Sequence, residues 1–295
     1  MMVFRPWDFS LCETISRLLL EDRVEFSDLT PSYLGNVYVN GAADIASVGF
    51  AEICGCGIYR SLLDGRMAFS FPFGGGDKSA ALRALAEHCR ESSQPLRFYP
   101  VGESEIACLR DVFGGEWRTV ERPETADYIY WAERLVSLEG LREHRRVIRK
   151  FEALGPWCAR DALPEDIPAM LGILEAWAAA RGGADGADHD ICGDAVRGLG
   201  YAGTLATVIE QSGRMVAFEI GRRLNPDMLV AEFEKCDPQL PGGCLVANRE
   251  FVRRWAGSSA FVNRSCDLGS PGLATAKRKY RPCRMVRKFV AEKVV

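Results

Sequence analysis

Residues 70–89 read SFPFGGGDKSAALRALAEHC: an apolar run, three glycines, an acid, a lysine and a helical stretch. Glycines let backbone N–H groups converge on an anion, and a following helix start adds partial positive charge. Two named phosphate loops are excluded by spacing. A Walker A loop has a glycine where Asp77 stands, and a dinucleotide fingerprint needs its third glycine where Ser79 or Ala80 stands. The plainer reading is a tight strand-to-helix turn with Asp77 near the N-cap. A second candidate is MLVAEFEKC (228–236), where Glu232 and Glu234 lie two apart. On a strand that spacing turns both carboxylates to one face, where one could move a proton, beside Pro241-Gly242-Gly243. The same pair also suits the charged decoration of a sheet edge. A third is Arg142, Arg145, Arg146 and Arg149, at i, i+3, i+4 and i+7, which sets four guanidinium groups along one helix face. Such a face is either solvated or turned to an anionic partner.

Composition bounds what can hold these groups. A chain of 295 residues, 47% apolar, buries a full core as one large domain or two of ordinary size. Arg5, Asp8, Glu13 and Arg17 interrupt any apolar leader, and no run approaches about 18 uncharged apolar residues, so a cytoplasmic protein without an integral membrane segment is expected. The eleven cysteines are an odd number, scattered singly, with only Cys54 and Cys56 near each other. They read as reduced, mostly buried thiols. His189 and Cys192 fall in GGADGADHDICGD (182–194) with Asp185, Asp188, Asp190 and Asp194. Ligand spacing there favours a mobile acceptor-side loop over a metal site, so no metal is expected. His88 and His144, among polar neighbours, read as surface residues, and no serine or cysteine has a nucleophile setting. The formal charge of −3 is uneven: residues 264–295 carry nine basic and two acidic residues, leaving −10 for the remainder. Together with the arginine stripe, this basic lobe points to a phosphate-bearing donor or RNA.

The elements that would position these groups occur twice in the same order. MVFRPWDFS and WCARDALPED each read as a short strand with an aspartate before a helix. The helices carry apolar stripes at Leu11, Ile15, Leu18 and Leu19, and at Ile167, Met170, Leu171, Leu174 and Trp177. Antiparallel meanders follow over 43–73 and 203–236, turning at Leu63-Asp64-Gly65, at Gln211-Ser212-Gly213 and at Asn225-Pro226-Asp227. Each meander leads to a glycine turn, a helix and a short strand, PLRFYPV (95–101) or SAFVNRS (259–265). This is a mixed α+β order, not a Rossmann alternation. Two units are assigned, 1–130 and 131–295, the second including the connecting basic helix.

That order, with a glycine turn after the fourth strand, resembles the GNAT acyltransferase fold. More narrowly, the chain resembles the family of the phosphatidylglycerol lysyltransferase C-terminal domain, read as tandem GNAT-like units, each a mostly antiparallel mixed sheet flanked by helices. The resemblance is carried by FSFPFGGGD (69–77), DYIY (127–130), LREHRRVIRKF (141–151), EFEKCD (232–237) and VNRSCDLGSPGLATAKRKYRP (262–282). The last holds Asn263, Asp267, Leu268, Gly269, Gly272, Leu273, Lys277, Tyr280 and Pro282 at the family's spacing. It departs at Ala274, where a basic residue is usual, and at Pro241-Gly242-Gly243.

The resemblance implies transfer of an acyl or aminoacyl group, from acyl-CoA or aminoacyl-tRNA, to a small-molecule, peptide or lipid acceptor. Glu234 is preferred as base because Lys235 beside it matches the family's pattern, Asp267 could orient an acceptor amine or a positively charged partner, and Tyr280 stands where such enzymes protonate the leaving group but equally fits a core stripe with Leu273 and Ala276. The donor is expected against Gly242 and Gly243, with Asn263, Arg264 and Lys277 beside it and Arg145 and Arg149 holding a large anion such as tRNA. FGGGDKS would be a degenerate counterpart of that turn. The competing reading is a non-catalytic binding protein on the same fold.

Overall fold

The computed structural model describes residues 2–32, 49–183 and 186–294, with side chains of 186–188 not described. The part of the first meander before Gly49, and Asp185, lie outside the described residues.

The repeat is realised as two seven-stranded sheets. In the first, β1 (Arg5–Pro6), β2 (Gly49–Ile53), β3 (Cys56–Leu63) and β4 (Arg66–Phe69) run antiparallel, and β5 (Arg97–Val101) joins β4 in parallel. In the second, β8 (Trp157–Asp161), β9 (Leu205–Gln211), β10 (Arg214–Asn225) and β11 (Met228–Cys236) form the meander, and β12 (Phe261–Asn263) is its parallel fifth strand. The expected hairpins form because Asp64-Gly65 and Ser212-Gly213 both take positive φ, which suits the strand twist. Leu11, Ile15, Leu18 and Leu19 of α1 (Leu11–Leu20) are all buried, as their spacing requires.

Each unit closes its sheet with a strand from the other half. β6 (Trp117–Glu121) ends the first sheet, but between it and β5 lies β14 (Phe289–Lys293), from the C-terminus. Reciprocally, β7 (Asp127–Trp131) sits in the second sheet between β12 and β13 (Arg284–Val286). The 130/131 boundary falls inside β7. Residues Leu11, Ile15, Phe50 and Tyr59 share one apolar core with Ile129, Leu224, Met228 and Val230, so the halves meet through packed side chains as well as exchanged strands.

The exchange places a buried ion cluster at the joint. Lys288, fully buried, donates to Asp28 and to Asp127 Oδ1, the latter at 2.7 Å. Asp127 also accepts from the Ser27 amide at 2.8 Å, the Ser27 hydroxyl at 2.9 Å and Asn263 Nδ2 at 2.9 Å.

The other helices whose bounds are described are α2 (Lys78–Glu91), α3 (Glu103–Phe113), α4 (Ala132–Ser137), α5 (Arg142–Glu152), α6 (Ile167–Ala179), α7 (Gly186–Arg197), α8 (Gly243–Trp255) and α9 (Pro271–Lys279). α7 corrects the expectation of a mobile loop at 182–194: Ile191, Cys192, Ala195 and Val196 give it an apolar face packed on the core. His88 and His144 are also corrected. Both are buried, because each stands on the inward face of its helix. None of the eleven cysteines is in a disulfide, but only five are buried. No helix among the described residues is long and apolar enough to cross a membrane.

Candidate active site and anion groove

The two glycine turns behave differently. At FGGGDK the place of an incoming anion is filled from within: Asp22 Oδ2 accepts from the Gly74 amide at 2.8 Å and pairs with Lys78 Nζ at 2.8 Å. A side chain at Gly76 would stand 2.1 Å from the Cys54 carbonyl oxygen, so that glycine is required by packing. Asp77 caps α2 by accepting from the Ala80 amide at 2.9 Å.

At PGGC, Gly242 takes φ +100°, and a Cβ added there would stand 3.1 Å from Val147 and 3.3 Å from Phe151 of α5. Gly243 faces Cys236 and Ala217 of the sheet. At Gly242 and Gly243 the lack of a Cβ lets α8 lie against α5 and the sheet, and the arginines of both helices stand beside that contact. A groove of about 690 Å³ runs there, lined by Arg142, Arg145 and Arg149 of α5 and by Arg249 and Arg253 of α8. Arg249 pairs with Glu152 at 2.9 Å and Glu250 at 2.8 Å, and Arg253 with Glu250 at 2.6 Å. Arg142, Arg145 and Arg149 are exposed and form no ion pair with a described residue. Arg146 turns away to Glu143, at 3.4 Å.

Behind the groove, β11 and β12 diverge. They pair only from Met228 opposite Phe261 to Val230 opposite Asn263, and beyond that Arg264 fills the gap. Its Nη2 donates to Glu234 Oε2 at 2.7 Å, and its guanidinium lies 4.3 Å from the Tyr280 ring centre. Lys277 Nζ donates to the carbonyls of Arg264 and, at 3.2 Å, Ser265, fixing the backbone that carries Arg264. Burial, with Arg264 nearby, brings the Lys277 ammonium down to about 8. Tyr130 donates to the Lys277 carbonyl at 2.8 Å. Burial pushes the Tyr280 hydroxyl well up, and its ring meets the His144 ring of α5 in a tilted contact, centres 4.3 Å apart.

Glu234 is set directly opposite Glu219 of β10. Glu219 is 1% exposed and accepts from Asn248 Nδ2 of α8 at 2.9 Å. Burial, and then the charge of Glu234, which is paired with Arg264, push its carboxyl well above the usual range. Glu219 Oε2, Asn248 Oδ1, Arg264 Nη1 and the Tyr280 hydroxyl are buried without a hydrogen-bond partner among the described residues. Leaving such atoms unmatched costs about 1–3 kcal/mol each; Arg222 Nη1 and Glu232 Oε1, of another buried pair, are unmatched too.

Of the expected residues, Glu234, Arg264, Lys277 and Tyr280 converge, Lys277 as a support. Asp267 stands apart: it accepts from Tyr128 at 2.5 Å and from the Gly269 amide at 2.8 Å, shaping the turn into α9. Asn263 is corrected as a donor ligand, since it is fully buried and spent on Asp127, the Glu25 carbonyl and the Ser265 amide. Glu232 does not share the face of Glu234. A bulge opposite Ile220 and Gly221 breaks the alternation, and its buried carboxylate meets Ser32 at 3.0 Å and Arg222 at 3.4 Å. Sequence spacing does not reach Glu219 and Asn248, because only strand register and helix docking bring them to Glu234. Arg249 and Arg253, four apart in NREFVRR, carry a readable signal. Among the described residues no group of three His, Cys, Asp or Glu is placed to hold a metal.

The family model for the phosphatidylglycerol lysyltransferase C-terminal domain matches residues 48–292. Among solved structures, a conserved protein of unknown function from Bacteroides thetaiotaomicron is 23% identical, with TM-score 0.87 and 100% of each chain covered. L-PGS from Bacillus licheniformis is 13% identical, with TM-score 0.68, covering 99% of this chain and 94% of that one. A C-terminal domain assigned to a lysylphosphatidylglycerol synthetase from Agrobacterium fabrum is 12% identical, with TM-score 0.67, covering 97% and 92%. These likenesses are of fold. No curated protein matches the chain.

Proposed function

This chain belongs to the phosphatidylglycerol lysyltransferase C-terminal family, and from that premise we propose that it moves an aminoacyl group from a charged tRNA to an amine or hydroxyl acceptor. The observation that carries the reading is the sharing of two helices between groove and centre. On α5, His144 faces Tyr280 while Arg145 faces the groove; on α8, Asn248 holds Glu219 while Arg249 faces the groove. A polyanion seated on the arginines thus lies against the helices that build the unmatched centre. The description of the family, a lysyltransferase, supports an aminoacyl donor in preference to acyl-CoA.

In this reading the acceptor N–H or O–H gives its proton to Glu234 as its nitrogen or oxygen attacks the ester carbonyl. Arg264 Nη1, the unmatched donor of the pair, faces the negative charge that builds on the carbonyl oxygen. The bond to the ribose oxygen then breaks, and the Tyr280 hydroxyl supplies the proton that oxygen takes up. Glu219, held protonated, keeps a second negative charge away from Glu234. Proposed boundaries for the two units follow the sheets, with β7 counted with the second and β14 with the first.

The groove is tested by titrating fluorescent aminoacyl-tRNA into wild-type protein and the Arg145→Glu/Arg149→Glu double variant at low salt. Affinity is expected to fall about tenfold or more and the salt dependence to become shallower, as loss of phosphate contacts requires. Unchanged affinity at low salt, where ion attraction is strongest, removes the groove from the proposal. Tight binding of acyl-CoA with none of tRNA replaces the donor.

A further inference from the structure

Neither the groove nor the Glu234 centre uses the pair of sulfur atoms that lies between them. Cys236 ends β11, two residues beyond Glu234, and Cys244 is the second residue of α8. Their sulfurs stand 2.6 Å apart, about half an ångström more than a disulfide bond. Eight positions separate them in the chain, so their approach depends on Gly243 letting the helix start meet the strand end. Both side chains are partly exposed, unlike Cys12, Cys56, Cys89, Cys192 and Cys266, so an oxidant in solution can reach them. The start of α8 favours a thiolate. The Cys244 thiol and amide hold Cys236 below the usual thiol range against its burial, whereas that same contact and then burial push the Cys244 thiol well up, and burial pushes Cys12, Cys56, Cys89, Cys108, Cys266 and Cys283 up.

We propose that Cys236 and Cys244 form a reversible dithiol–disulfide pair, a redox modification site at the junction of the strand bearing Glu234 and the helix bearing Arg249 and Arg253. With a peroxide as oxidant, the Cys236 thiolate attacks one oxygen, the O–O bond breaks, and a sulfenic acid and hydroxide result. The Cys244 sulfur then attacks the sulfenic sulfur, the S–S bond forms, and the sulfenic oxygen leaves as water with the thiol proton. Two thiols and one peroxide become one disulfide and two waters. An external dithiol restores the pair by exchange. The bond ties the end of β11 to the first turn of α8, and hence to Asn248 and the groove arginines. The proposal is independent of the transferase reading.

The test uses the whole protein, treated with near-stoichiometric hydrogen peroxide, alkylated, digested and mapped by mass spectrometry. The expected product is a linked pair of peptides carrying Cys236 and Cys244, lighter by two hydrogens and released by dithiothreitol. It should form before exposed Cys54, Cys158 and Cys283 are oxidised. In Cys244→Ser a sulfenic acid trapped by dimedone should appear at Cys236, and in Cys236→Ser neither product should form. Oxidation of the exposed cysteines while 236 and 244 are alkylated as free thiols overturns the proposal, as does a Cys244→Ser variant with no dimedone adduct at Cys236.

Discussion

Around Lys288 the buried charges are matched; around Arg264, among the described residues, four buried polar atoms are not. Both clusters sit where strands from different parts of the chain converge, and both hold carboxylates against a buried cation. In the first, Asp28, Asp127, Asn263 and Ser27 take up one another's hydrogen-bonding capacity, as a joint between two units requires. In the second, Glu219, Glu234, Arg264 and Tyr280 leave valences open. Buried polar groups are tolerated when matched, and a folded protein retains unmatched ones where another molecule completes them.

Substitution at each centre should break this comparison in opposite ways. Lys288→Met strands two carboxylates in the joint and should cost about 3–5 kcal/mol of stability, read from chemical denaturation. A loss under 1 kcal/mol would mean that the first cluster does not hold the halves together. Glu234→Gln should lower aminoacyl transfer about 100-fold or more while the denaturation midpoint stays close to wild type. A large stability loss with normal turnover would reverse the assignment of the two clusters. The smallest effect is the pH dependence at Glu219. Its raised carboxyl stays protonated in the folded state while the unfolded chain ionises above about 4.5, so folding retains a proton and wild-type stability falls as pH rises past that value. Glu219→Gln removes this dependence. The variant should gain on wild type by on the order of 1 kcal/mol between pH 5 and 7 and lose that relative gain below pH 4.5. Parallel stability curves would mean that Glu219 is ionised.

Much of this architecture is legible in the sequence because it is local. The stripes of α1 and α6, the Asp64-Gly65 and Ser212-Gly213 turns and the Asp77 cap each depend on a few neighbouring residues. Four residues of the centre, Glu234, Arg264, Lys277 and Tyr280, are reachable through motifs that hold them at fixed spacing. What is hidden depends on distant pairing. The exchange of β7 and β14 leaves no trace in either strand's own sequence, since Asp127–Trp131 and Phe289–Lys293 read as strands whichever sheet receives them. Asn263 has the look of a ligand residue until the first half supplies Asp127 and the Glu25 carbonyl. Glu232 looks equivalent to Glu234 until a bulge, which periodicity cannot register, turns it toward Ser32 and Arg222. The glycines of 242–243 signal close approach correctly, but what approaches is α5 and the sheet.

The most direct measurement follows a labelled amino acid ester-linked to tRNA, incubated with the protein and a mixture of amines and phosphatidylglycerol vesicles, with a parallel reaction supplied with labelled acyl-CoA. Label should leave the tRNA and appear on an acceptor with wild-type protein, and remain on the tRNA, apart from spontaneous hydrolysis, with Glu234→Gln. Transfer from acyl-CoA alone, or equal transfer by wild type and the variant, would contradict the account.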